Sequence, residues 1–232
     1  MSASSAERSL ARSAWYIGLG LLLLAAVYVR ALAFTPTEAT QGPAQKIFYV
    51  HVPSAWIAFL AFGLVGVASL LYLFTRESRL DRFAASAAEV GVVFTTGVLI
   101  TGPIWAKPIW GAWWTWDARL TSTLFLWFIY FGYLVLRGAV QEPGRRARYS
   151  AALGILGALL VPFIHVSVYL FRTLHPLPVV LKPGKPALPG SMLATLLFSL
   201  AAFTLLFFGL LSRRYALARL AETRPEEEGA GA

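Results

Sequence analysis

Apolar residues run along this chain in six near-continuous blocks, at 14–34, 53–74, 84–103, 120–136, 149–170 and 192–211. A helix of roughly 20 apolar residues crosses a hydrocarbon core of about 30 Å. The pattern therefore predicts an all-α, polytopic membrane protein with six transmembrane helices joined by short connections. The first block also imitates a secretory signal, because Arg8 and Arg12 precede it and "ALA" at 31–33 offers small residues of the cleavage-site kind. Its apolar part is long for a signal and Arg30 stands just before the small residues, so it reads as an uncleaved first span.

Composition agrees. The chain is 58% hydrophobic and 13% charged, whereas about a quarter of a soluble domain is charged. With 20 basic and 11 acidic residues the net charge is +9, an excess that in a soluble protein would suggest nucleic acid. Here no nucleic acid is needed, because basic loops set the orientation of a membrane protein in its lipid bilayer. Thirteen of the Lys and Arg residues fall on the side of the termini and of the loops near 76–82 and 137–148, and seven on the other. Both termini are expected to be cytoplasmic. The connections are too short for a second folded unit, and no repeat of 20 to 50 residues is evident, so residues 1–232 are expected to form a single membrane domain. The tail "ETRPEEEGAGA", 222–232, reads as solvated and disordered. Without cysteine, disulfides, thiolate metal sites and thioether attachment of a haem to this chain are excluded.

Between blocks three and four lies "WAKPIWGAWWTWDARLTS", 105–122, which holds five of the eight tryptophans: Trp105, Trp110, Trp113, Trp114 and Trp116. Pro108 suits the first turn of a short helix. Such a helix would carry Trp110, Trp113, Trp114 and Asp117 on one face, at i, i+3, i+4 and i+7. An aromatic belt at the membrane–water boundary accounts for one or two indoles; five suit a flat apolar ligand with polar edges. All three histidines lie in the same, outer half: His51 in "FYVHVPSAW", His175 in "FRTLHPLP" and His165 about 10 Å inside the end of block five. His51 could instead cap a helix opened by Pro53, His175 could be an ordinary loop residue, and a lone histidine such as His165 more often bonds to a neighbouring helix. Asp117 is suited to capping the fourth helix or orienting Arg119. Glu89, near the inner end of block three, is expected to snorkel or pair with Arg82.

"WGAWWTWDARLTS" resembles the "WWD" signature of the haem-handling membrane proteins of cytochrome c maturation. Length and span number resemble the haem exporter protein C family (CcmC), and "FYVHVPSAW" and "TLH" at 173–175 resemble its two histidine segments. Around the second of these the chain departs from the family pattern, with Leu170, Phe171 and Pro176 in place of a Trp pair and a Gln.

The resemblance implies a protein of the bacterial inner membrane that binds non-covalent, b-type haem at its outer, periplasmic face. It would deliver that haem to a membrane-anchored haem chaperone, alongside ABC transporter subunits and a small single-span membrane subunit. It further implies His51 and His175 as axial ligands of the haem iron, with Trp105, Trp110, Trp113, Trp114, Trp116, Asp117 and Arg119 around the porphyrin. No residue is assigned a catalytic role. Haem propionates want cationic donors, and Arg119, Lys46, Arg172 and Arg30 are the outer-side candidates.

Other classes fit less well. A metal-dependent oligosaccharyltransferase needs several acids, and the outer side has only Glu38 and Asp117. A transmembrane cytochrome b would need histidines in both leaflets. A structural subunit of an ABC exporter accommodates the absence of a Walker motif but leaves the tryptophans and histidines unexplained.

Overall fold

The computed structural model describes residues 3–180 and 182–223. Among them are six helices long and apolar enough to cross a membrane: α1 (Ala3–Val29), α2 (Phe48–Thr75), α3 (Ser78–Trp110), α4 (Ala118–Ala139), α5 (Pro143–Leu170) and α6 (Gly190–Thr223). α1 continues into a π-helical turn, Arg30–Phe34, and a 3-10 turn, Pro43–Ile47, leads into α2. The chain is a multi-pass membrane protein, and its helices run alternately up and down. Connections 35–47, 111–117 and 171–189 therefore share one end, which carries the histidines; 76–77 and 140–142 share the other.

The helices overrun the apolar blocks because hydropathy registers only the part at lipid depth, whereas a helix extends until its backbone is capped. Asp117 caps α4 by accepting the N–H groups of Arg119 and Leu120 at 2.9 and 3.0 Å. Glu142 does the same for α5 with Gly144 and Arg145, at 2.7 and 2.6 Å. α2 and α3 stop at left-handed residues, Arg76 (φ 57°) and Gly111 (φ 73°); a glycine takes that conformation without steric cost.

One expectation is corrected at the opposite end. Glu89 pairs with Arg214 on α6, not with Arg82. Arg82 binds Glu222 and lies over the Tyr215 ring. The tail thus begins as ordered helix, and from residue 224 it lies outside the described residues. Asp81 and Arg137 form a bidentate pair, 2.6 and 2.9 Å, that ties α3 to α4.

α2 is central, packed against α3, α5 and α6, with α1 laid on α6 and α4 on α5. One core draws on all six helices. At its middle the Phe62 and Tyr130 rings stack at 3.7 Å, and the Tyr130 hydroxyl donates to the Gly154 carbonyl at 2.9 Å. A Cβ at Gly157 would come within 2.5 Å of the Tyr130 ring, so α4 and α5 need a glycine there to approach this closely. The outward faces, including Val67, Val93 and Leu159, are exposed and apolar, as lipid contact requires.

At the histidine end a polar network joins α1, α2 and α6. Thr35 and Thr195 hydroxyls lie 2.8 Å apart, Arg30 Nε donates to Thr195, and Lys46 donates to the Thr35 and Pro36 carbonyls. Ser199 on α6 donates to the Tyr49 carbonyl. These contacts fix the first turn of α2, and with it His51.

Candidate functional site

The tryptophan segment is not a separate helix. α3 continues through Pro103 and Pro108 to Trp110, and 112–117 is non-helical. A proline inside a helix forfeits one backbone bond, which membrane helices tolerate where neighbouring groups make good the loss. Trp105 and Trp110 thus ride on α3, while Trp113, Trp114 and Trp116 stand on the loop beyond, and the one-face spacing does not arise.

His51 also sits differently from expectation. α2 begins five residues before Pro53, so His51 lies inside its first turn and caps nothing. Its ring turns to α3, where Thr101 and Trp105, one turn apart, bracket it. Nδ1 is 2.9 Å from the Thr101 hydroxyl, and the Trp105 ring meets it edge-on at 5.6 Å. Trp105 is itself held by an N–H bond to Gln41 Oε1 at 3.1 Å and by Phe48.

His175 occupies the α5–α6 connection, with its ring edge-on to Trp110 at 6.3 Å. Nδ1 lies 3.0 Å from the Pro176 carbonyl and its backbone N–H is 3.0 Å from Thr173 Oγ1. A carbonyl only accepts, so Nδ1 carries the proton and Nε2 keeps its lone pair. Burial, reinforced by the Arg119 charge, pushes the His175 pKa down to about 4; the ring is neutral at pH 7, as metal ligation demands.

Arg119, at the start of α4, draws the elements together. Its charge acts on the His175 ring. Nη1 of Arg119 and Nε1 of Trp114 are buried without a hydrogen-bond partner among the described residues. Lys46 and Arg30, by contrast, are engaged in the network above. Asp117 serves as the α4 cap and accepts from Thr115. Trp114 meets Trp116 edge-on at 5.8 Å, and Trp113 and Trp116 are exposed. The structure thus sets Trp105 against His51 and Trp110 against His175 at the same end of the bundle, with the Arg119 charge acting on His175. It leaves Trp113 and Trp116 at the surface, and His165 half-buried on α5.

Among the described residues no three His, Cys, Asp or Glu side chains gather to hold a bare metal ion. Two imidazoles with Nδ1 engaged, flat indoles and a guanidinium with a buried, unpartnered N–H suit a metalloporphyrin instead: nitrogen for the iron, aromatic edges and faces for the ring, and a guanidinium for carboxylates.

Sequence reasoning missed Thr101, Gly102 and Gln41. The signal was helical spacing: once α3 is carried past Pro103, Thr101 and Trp105 fall at i and i+4 on one face.

Fold and site together define a six-helix membrane protein that displays two imidazoles, each with Nδ1 engaged, on a tryptophan-rich end. The family model described as heme exporter protein C matches residues 3–228, and the chain belongs to that family. It is 42% identical over 194 residues to heme exporter protein C of Bradyrhizobium diazoefficiens, covering 83% of this chain and 73% of the relative. It is 36% identical over 204 residues to that of Haemophilus influenzae, covering 88% and 83%. It is also 34% identical over 204 residues to a putative cytochrome c biosynthesis ccmC-like mitochondrial protein of Marchantia polymorpha, covering 87% and 86%.

Proposed function

We propose that this protein binds haem non-covalently at its histidine end and delivers it for c-type cytochrome maturation. His51 and His175 supply Nε2 to the iron; Trp105 and Trp110 hold the two imidazoles. Trp113, Trp114 and Trp116 contact the porphyrin, and the unpartnered Arg119 Nη1 and Trp114 Nε1 receive its carboxylates. Asp117 shapes the platform by fixing the start of α4. The observation that carries this reading is the state of the two imidazoles: each spends Nδ1 on a partner within the protein, which leaves the other nitrogen for a metal. Membership of the haem exporter protein C family supports it.

In the same proposal the chain lies in a bacterial inner membrane with both termini cytoplasmic and the histidine end facing the periplasm. The thirteen-to-seven basic asymmetry supports that orientation. Haem passes from there to a membrane-anchored haem chaperone, with ABC transporter subunits and a small single-span subunit as partners. The exposed Trp113 and Trp116 suit a hand-over surface.

The test is the absorption spectrum of protein purified from haem-replete cells. A six-coordinate, low-spin haem is expected; His51→Ala and His175→Ala should each lose it or shift it to high spin, and His165→Ala should do neither. A normal low-spin spectrum in the His51, His175 double variant ends the ligand assignment. Absence of haem from the unsubstituted protein favours a structural subunit of an ABC exporter.

A further inference from the structure

We infer that Thr101 is the positioning residue of this site: its hydroxyl selects the tautomer of His51 and thereby decides which imidazole nitrogen keeps its lone pair for the ligand. The inference deepens the haem reading and, for its haem-dependent half, rests on it.

A threonine hydroxyl has one proton to give. Thr101 gives it to the Gly97 carbonyl, 2.7 Å away and one turn back along α3. Towards His51, at 2.9 Å, the oxygen can then only accept, so the imidazole must carry its proton on Nδ1. Nε2, on the other side of the ring, keeps the lone pair. An imidazole free in water favours the opposite tautomer, with the proton on Nε2, where it blocks metal binding. A helical threonine chooses between two χ1 rotamers, and the bond to Gly97 holds Thr101 in one of them, which makes it a firm anchor.

Two neighbours frame the ring in this seat. A Cβ at Gly102 would lie 3.3 Å from His51 Cε1, tighter than ordinary contact, so the glycine lets the imidazole edge rest on α3. Trp105 closes the other side.

Back-bonding to the carbonyl four residues earlier is common for helical threonines, and Thr95 and Thr96 of the same helix do it too. Thr95 does so without an imidazole, and Thr96 accepts from the Trp127 indole, which always donates. Of these three α3 threonines, Thr101 alone meets a side chain with two protonation patterns to choose between.

The experiment uses the full-length, haem-free protein in detergent with ¹⁵N-labelled histidine, the His51 signals being identified by their loss in His51→Ala. His51 should be the Nδ1–H tautomer in the unsubstituted protein and in Thr101→Ser, and should move to Nε2–H in Thr101→Val and, as a second variant, Thr101→Ala. An Nε2–H imidazole in the unsubstituted protein, or an Nδ1–H tautomer that persists in the folded Val or Ala variant, overturns the inference. Haem titration of the same proteins should find affinity lowered by about 10- to 100-fold in Thr101→Val and restored in Thr101→Ser. A tautomer that switches without loss of affinity overturns the positioning role. Low-spin haem retained by His51→Ala would overturn the ligand reading and the haem-dependent half with it, while the tautomer measurement would still decide the hydrogen bond.

Discussion

The Trp105 indole and the His51 imidazole meet edge to face, with ring centroids 5.6 Å apart and planes at 68°. One comes from the far end of α3 and the other from the first turn of α2, so the contact links two spans as well as two rings.

That contact predicts a graded loss. An aromatic pair of this kind contributes about 0.5–1.5 kcal/mol beyond burial, so Trp105→Ala should weaken haem binding by roughly two- to tenfold, at about 1.4 kcal/mol per factor of ten. Gln41, which holds the indole N–H, would lose its bond as well. Trp113, by contrast, is exposed on the loop beyond α3, and Trp113→Ala should reduce retention without moving the low-spin band. Haem titration and absorption spectra of the two variants, each checked for membrane insertion, decide the point. Equal spectral effects would deny Trp105 a special place beside the ligand.

Orientation has its own test. By sequence position thirteen Lys and Arg residues belong to the side of the termini and seven to the histidine side, and the richer side is expected in the cytoplasm. Reporter fusions after Arg79 and Arg146 should report inside, and fusions after Ala112 and Gly184 outside. An inside signal at Ala112 would put the histidine end on the wrong face for periplasmic delivery.

The six spans were legible because lipid asks one thing of a segment, and apolar length answers it. Residues that make the ends were less so. Asp117 was readable as a cap since the requirement is local: a carboxylate two and three residues before free N–H groups. The course of α3 was not, because Pro103 and Pro108 look like interruptions and only packing around them lets the helix run to Trp110. The same tertiary dependence hid Thr101, whose role exists only because α2 lays His51 across it. Charge pairing failed similarly. Glu89 was matched to its sequence neighbour Arg82, while the structure joins each of them to α6, 125 and 140 residues away.

The Asp81–Arg137 bridge offers a stability prediction apart from the site. Both side chains are mostly buried, 15% and 17% exposed, in a bidentate geometry. Removing one partner strands a charge, at a cost of about 3–5 kcal/mol for a buried pair. Asp81→Ala and Arg137→Ala should each lower thermal stability in detergent clearly, and the double variant should recover part of the loss. Additive losses would mean that the two side chains act independently.

His175 leads to a pH prediction. Burial and the Arg119 charge hold its pKa at about 4, while the Pro176 carbonyl and Asp117 pull the other way. The folded value lies below the ordinary histidine value of about 6.5, so on acidification the unfolded chain binds its proton first. The stability from keeping this ring neutral is therefore complete above about pH 6.5 and is lost as pH falls through about 4. A histidine NMR titration of the haem-free protein should find His175 neutral through the physiological range, with its midpoint near pH 4. Arg119→Gln removes the positive neighbour and should raise that midpoint, though not to the free value, since burial is the larger cause. A midpoint near 6.5 in the unsubstituted protein would mean that water reaches the ring freely and that Trp110 does not shelter it.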